Sequence, residues 1–232
     1  MLQMKINDAS FQNFVKHILS FEGGLSKDSN DTASSCAPFE GAYHTNKGVT
    51  YCTFKSLADK LGIENSYQKF ISLSNDDISK FIFYFYNDAH GNQLPDSVGL
   101  SVTEAAWGSG KSRAIKNLQN ALVNLGKLNA GDVDGVFGEQ VLKAVATVPE
   151  DKLFTAFWKE RQRFIDSLTS QSKYSMYKKG WQNRIDSFLK NITPGAIFTA
   201  TKEVVKKNPI KTIFVLIAIA FGINQILKNS KK

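Results

Sequence analysis

A chain of 232 residues that is 42% hydrophobic and 12% aromatic can bury a sizeable core, which excludes an intrinsically disordered segment. Its net charge of +8 suggests nucleic acid until it is divided: residues 201–232 hold seven lysines and one glutamate, leaving +2 for the first 200 residues. The basicity belongs to the tail, so no nucleic-acid partner is implied, and the mildly positive body suits an anionic polymer.

Met1 to Ser10 holds no apolar run long enough for a signal peptide, so synthesis in the cytoplasm is expected. Phe11, Phe14, Val15, Ile18 and Leu19 then fall at the spacing of an amphipathic helix face, with Ser10 as the expected N-cap. Gly23 and Gly24 can supply the left-handed residue that ends such a helix, which places Glu22 in its last turn. There the negative end of the helix dipole and the apolar neighbour Phe21 both disfavour an ionised carboxylate, and a protonated carboxyl is what a general acid needs. The competing reading of Glu22 is a solvated glutamate at a helix end.

Asp28 and Asp31 follow on a polar loop, and Thr45, Asn46 and Thr50 bring hydroxyl and amide groups back towards it before the next helix. A protonated carboxyl facing a second carboxylate or an ordered polar group is how glycosidases protonate a leaving oxygen and place a water. Each aspartate could instead cap its own turn. Taken in order, Glu22-Gly23-Gly24, Asp28 and Asp31, and Thr45-Asn46-Lys47-Gly48-Val49-Thr50 resemble the N-acetylmuramidases of glycoside hydrolase family 108. That family's pattern is E-G-G, an aspartate-containing loop, then T-N-x-G-[IV]-T. The resemblance implies a mainly α, lysozyme-like helical domain with a small loop or hairpin region near the active site. It implies Glu22, Asp31 and Thr50 as catalytic residues, Asp28, Thr45 and Asn46 as glycan contacts, and no cofactor or metal.

Between Asp31 and Thr45 the chain departs from that pattern. Thr32 to His44 is an insertion of small and turn-forming residues, expected as an exposed loop that shapes the glycan groove. Cys36 and Cys52, the chain's two cysteines, would if oxidised close a loop of about 15 residues, worth roughly 3 kcal/mol on the chain-entropy model. Cytoplasmic synthesis makes free thiols the expectation. His17, His44 and His90 have no zinc-ligand spacing relative to them.

Phe54, Leu57 and Leu61 form a short helix face ended by Gly62. Asp76 and Asp77 favour the start of the next helix, with Ile78, Phe81, Ile82 and Phe85 on its apolar side. Tyr84 and Tyr86 are expected to face outward, where they could meet sugars. Asn92-Gln93-Leu94-Pro95-Asp96 and Glu104-Ala105-Ala106-Trp107-Gly108-Ser109-Gly110 resemble the family's D-x-L-P and F-D-x-A-V-N-S-G segments, with Glu104 in place of aspartate and Gly108 in place of asparagine. Glu104 and Trp107 are accordingly candidate substrate contacts, Trp107 being either cleft wall or core. Small residues at Ala105, Ala106 and Gly108 would let a helix pass close by.

Ala114, Ile115, Leu118, Leu122 and Leu125 form another helix face. Asp134-Gly135-Val136-Phe137-Gly138 resembles the turn of peptidoglycan-binding modules, although Asp-Gly is also ordinary turn chemistry. Phe154, Phe157, Arg161, Phe164 and Leu168, then Gly180-Trp181, Arg184, Ile185 and Phe188, complete the family-like body. Arg161 and Arg184 either brace acidic residues of the site or pair on the surface.

Beyond Pro194 the chain changes character. Thr212 to Leu227 is apolar apart from Asn224 and Gln225, with Lys202, Lys206, Lys207 and Lys211 before it and Lys228, Lys231 and Lys232 after. Such a segment can span a bilayer if its flanking lysines snorkel; a buried core helix is the alternative. The expected organisation is a muramidase catalytic region over 1–95, a helical peptidoglycan-binding-like region over 96–192, a basic linker over 193–211 and a membrane helix over 212–227. By resemblance the substrate is the glycan strand of peptidoglycan, hydrolysed at the β-1,4 bond between N-acetylmuramic acid and N-acetylglucosamine. The enzyme would be held at a virion or host inner membrane by its last helix. Two rivals stand beside this reading: a lytic transglycosylase on the same scaffold, and a structural virion membrane protein without catalysis.

Overall fold

A computed structural model of the chain describes residues 4–192, so the segment expected to cross a membrane lies outside the described residues. The chain divides into two compact units, one ending at Asp88 and the other beginning at Ala89.

The first unit opens with helix α1 (Ala9–Phe21), which buries Phe11, Phe14, Val15 and Ile18 as their spacing requires. Its N-cap is Asp8 rather than Ser10, which lies inside the helix. Asp8 accepts a hydrogen bond from the Lys5 backbone N–H at 2.6 Å, so the residue that turns the chain takes the cap. The other end also differs from expectation. Glu22 leaves the helix in an extended conformation (φ −88°, ψ 136°), and neither Gly23 nor Gly24 is left-handed.

Extended backbone at Glu22 leads into a three-stranded antiparallel sheet of β1 (Leu25–Ser26), β2 (Thr45–Asn46) and β3 (Val49–Thr50). Lys47 and Gly48 join β2 to β3 with φ of 47° and 82°. Two positive φ values in a two-residue hairpin loop match the right-handed twist of the strands, and only Gly48 adopts one without steric cost. Lys47 is held in place by its ammonium, which donates to the Leu73 carbonyl and to Asn75 Oδ1, each at 2.9 Å.

The insertion forms a short 3-10 turn over Thr32–Cys36, and Cys36 is disulfide-bonded to Cys52. The expectation of free thiols is therefore overturned. Helix α2 (Tyr51–Leu57) carries Cys52, so the bond ties the insertion to the helix that follows the hairpin. The insertion is also less exposed than expected: Ala42 and His44 are buried, and the Tyr43 backbone N–H donates to the Tyr67 hydroxyl at 2.8 Å.

Helices α3 (Tyr67–Ile71) and α4 (Asn75–Asp88) complete the unit around an aromatic core in which Phe70 meets Phe54, Tyr51 and Tyr67. The buried row of α4 is Ile78, Ile82 and Tyr86, with Phe81 beside it. Tyr86, expected outside, lies four residues beyond Ile82 on the same ridge, and its ring stands 5.9 Å from that of Phe11. Phe85 is only half-buried.

In the second unit α5 (Asp96–Ser109) is buried along nearly its whole length, which is why its sequence lacks an amphipathic pattern. Around it pack α6 (Lys111–Asn124) and the long α8 (Glu150–Thr169), with α7 (Glu139–Ala146), α9 (Ser172–Ser175) and α10 (Lys178–Asn191) outside them. Glu150 accepts from the Ser97 backbone N–H and hydroxyl at 3.0 and 2.6 Å, pinning the first turn of α8 to that of α5. Trp158 donates its indole N–H to Ser101 at 2.9 Å. A close backbone approach also lies at Gly99, nine residues before Gly108, where an added Cβ would stand 2.5 Å from the Gly91 carbonyl oxygen.

The Asp-Gly turn is braced from α6. Buried Gln119 accepts from the Gly135 N–H at 2.8 Å and donates to Asp134 Oδ1 and the Val136 carbonyl. Gly135 has φ +85°, and a Cβ there would lie 2.4 Å from Ser112 Oγ, so only glycine fits.

Candidate active site

Glu22 is half-buried at the exit of α1 and is followed, through Gly23 and Gly24, by β1. Ladder register then decides which residues share each face of that sheet. Leu25 pairs with Asn46 and Asn46 with Val49, while Ser26 pairs with Thr45 and Thr45 with Thr50. Directly opposed residues share a sheet face, so one face carries Leu25, Asn46 and Val49 and the other a row of three hydroxyls, Ser26, Thr45 and Thr50. Asn46 and Val49 are buried, whereas all three hydroxyl residues are half-exposed. Ser26 was not among the residues expected at the site; period-two alternation from Leu25 is the signal that could have found it.

The remaining first-unit candidates hold local structure. Asp28 accepts from the Asn30 backbone N–H and side-chain amide at 2.9 and 3.0 Å, and Asp31 caps the 3-10 turn by accepting from the Ala33 N–H at 3.0 Å. Both are exposed. Asn46 donates its amide to the Phe70 carbonyl at 2.7 Å from a buried position. Thr50 caps α2 by accepting from the Thr53 N–H at 3.2 Å. His44 Nε2 donates to the Asp28 carbonyl at 3.1 Å, which leaves Nδ1 facing Thr45 Oγ1 at 3.0 Å. The Thr-Asn-x-Gly-Val-Thr segment is thus a hairpin whose own side chains fasten it to α2, α3 and the inserted loop.

Tyr84 lies on a cleft of about 500 Å³ that also takes in Lys60, Lys80, Phe83 and Asn87, with the Lys60 ammonium 5.6 Å from its ring centroid.

In the second unit Glu104 is buried and accepts from Arg184 Nε at 2.6 Å. Arg161, also buried, donates to Ser109 Oγ at 2.8 Å. Burial pushes the Arg161 guanidinium below the usual arginine range; the Glu104 carboxylate opposes that shift, and Arg184 and Arg113 add to it. Neither arginine is a surface pair, and they stand with Glu104 in one interior cluster. Trp107 is half-buried.

Residues 15–110 match the family model described as Glycosyl hydrolase 108. This part of the chain is similar to glycosyl hydrolase 108 domains. Residues 113–186 match the model described as Predicted Peptidoglycan domain. The chain is accordingly a glycoside hydrolase of the muramidase kind, directed at peptidoglycan. It is similar in fold to the solved structure of SagA from Brucella abortus, with a TM-score of 0.57 and 24% identity over 81% of this chain and 98% of that one. No curated protein matches it significantly.

Proposed function

We propose that the enzyme hydrolyses the β-1,4 bond between N-acetylmuramic acid and N-acetylglucosamine, with Glu22 as the general acid that protonates the leaving oxygen. The observation that carries this is the setting of Glu22, half-buried where α1 gives way to the sheet with the row of half-exposed hydroxyls. Ser26, Thr45 and Thr50 are the groups offered for ordering water and sugar hydroxyls there, because hydrolysis needs a positioned water as well as an acid and these side chains donate and accept without adding charge. Asp28 and Asp31 act chiefly by fixing the loop through their turn hydrogen bonds. Tyr84 offers an aromatic face to a saccharide ring.

In the same reading, residues 212–227 anchor the enzyme to a membrane of a virion or of the host, with lysines at both ends meeting lipid headgroups. Among the described residues no helix is long and apolar enough to cross a membrane. The Cys36–Cys52 disulfide suits action in an oxidising space outside the cytoplasm, where the wall is.

Digestion of purified peptidoglycan tests the reading. Reducing-end muropeptides released by the wild-type protein support hydrolysis, whereas 1,6-anhydro products mark a transglycosylase and an intact wall marks a scaffold without catalysis.

A further inference from the structure

A cavity of about 120 Å³ lies within the second unit, with Glu104, Ser109, Arg161 and Arg184 on its polar side and Ile165 and Ile185 on its apolar side. Arg161, Arg184 and Glu104 are all largely withdrawn from water: Arg161 is 5% exposed, and the Arg184 and Glu104 side chains are 16% and 1% exposed. Arg161 uses one terminal nitrogen on Ser109, while its Nε is buried without a hydrogen-bond partner. A buried cation lacking its full set of acceptors is strongly unfavourable unless an anion completes it. The space far exceeds what one water occupies, so it admits a carboxylate with its first carbons. The planar fork of arginine matches a carboxylate in geometry, and the isoleucines suit the short alkyl part behind it.

We propose that this cavity is a carboxylate-binding subsite and that it takes a free carboxylate of the peptide stems of peptidoglycan. The choice of stem rests on the wall-hydrolase reading above; the choice of a carboxylate rests on the cavity alone.

The test uses the full chain carrying Glu22→Gln, with methyl-labelled isoleucine, so that wall fragments bind without turnover. Acetate, with chloride at equal ionic strength as control, should shift the Ile165 and Ile185 methyl signals saturably. A soluble muramyl peptide with free stem carboxylates should do the same and bind at least tenfold more tightly than its fully amidated counterpart. Arg161→Met should abolish both effects. Should that variant fail to fold, Gly108→Leu supplies the second arm: an added Cβ at Gly108 meets only an Arg161 nitrogen, at 3.5 Å, so the larger side chain fills the cavity while every charge stays in place. Absence of saturable shifts in the parent protein, or binding undiminished in Gly108→Leu, would overturn the subsite. Equal affinity for free and amidated peptides would overturn the assignment to stems. Wall cleavage by the Glu22→Gln protein would instead sink the catalytic reading and leave these binding results standing.

Discussion

Cys36 and Cys52 are covalently joined with their Cα atoms 5.2 Å apart, so the inserted loop between Asp31 and Thr45 is fastened to the first turn of α2. The sheet with its hydroxyl row lies in the same stretch of chain, between the two cysteines and α1. Constraint on the unfolded chain by a loop of about 15 residues is worth roughly 3 kcal/mol on the entropy model. Reduction, or the paired Cys36→Ser and Cys52→Ser substitutions, should therefore lower the melting temperature by several degrees in a calorimetric scan. An unchanged melting temperature on complete reduction would mean that the bond stabilises nothing.

Asp77 governs acid sensitivity at the start of α4. Burial pushes its carboxyl up, but the Lys69 ammonium at 2.7 Å and the backbone N–H and hydroxyl of Ser74 outweigh this and hold it below its ordinary value of 3.8. A depressed carboxylate contributes stability that is present above its unfolded value and lost as pH falls through the folded one. Asp77→Asn should cost about 1–3 kcal/mol at neutral pH. Urea titrations should show that difference shrinking once the pH drops below about 4. A gap that stays constant with pH would remove Asp77 from the acid response.

Glu104 should matter for stability as much as for any ligand. Removing it leaves Arg161 and Arg184 facing each other in the interior, and breaking a buried pair typically costs about 3–5 kcal/mol. Glu104→Ala should accordingly unfold at distinctly lower urea concentration, with the slope of the transition unchanged. Wild-type stability in that variant would show that the cluster is hydrated rather than dry.

The tail prediction follows from composition. A chain ending at Ile192 should stay folded and active on purified peptidoglycan, while the full chain should float with lipid vesicles in a density gradient. A truncated protein that aggregates or melts without cooperativity would place the 212–227 segment inside the enzyme.

Periodicity read the interior well where a helix presents one face. Phe11, Phe14, Val15 and Ile18 in α1 and Ala114, Ile115, Leu118 and Leu122 in α6 are buried as their spacing requires. It failed where backbone choice or chemistry competes with pattern. Gly23 and Gly24 looked like a left-handed stop, but glycine is permissive in either direction, and here the chain continues extended into the sheet. The thiols were misjudged because an inference about compartment outweighed a spacing well suited to a bridge. For Arg161 the sequence leaves bracing and surface pairing open, although its place four residues after Phe157, on the inward stripe of α8, is a signal that favours a buried partner. Within the proposed site, Glu22 and the hydroxyls of Thr45 and Thr50 are the groups that type and order single out. The bonds that turn Asn46, Asp28 and Asp31 to structural work could not, because Phe70, Asn30 and Ala33 receive or supply them only once the hairpin and loop are folded.

Wall cleavage by Glu22→Gln tests the assignment of the catalytic acid most directly, because the substitution removes the transferable proton at nearly constant volume. Turnover of purified peptidoglycan should fall by about a hundredfold or more, with circular dichroism and melting temperature like those of the wild type. A folded Glu22→Gln protein that releases muropeptides at the wild-type rate would contradict it.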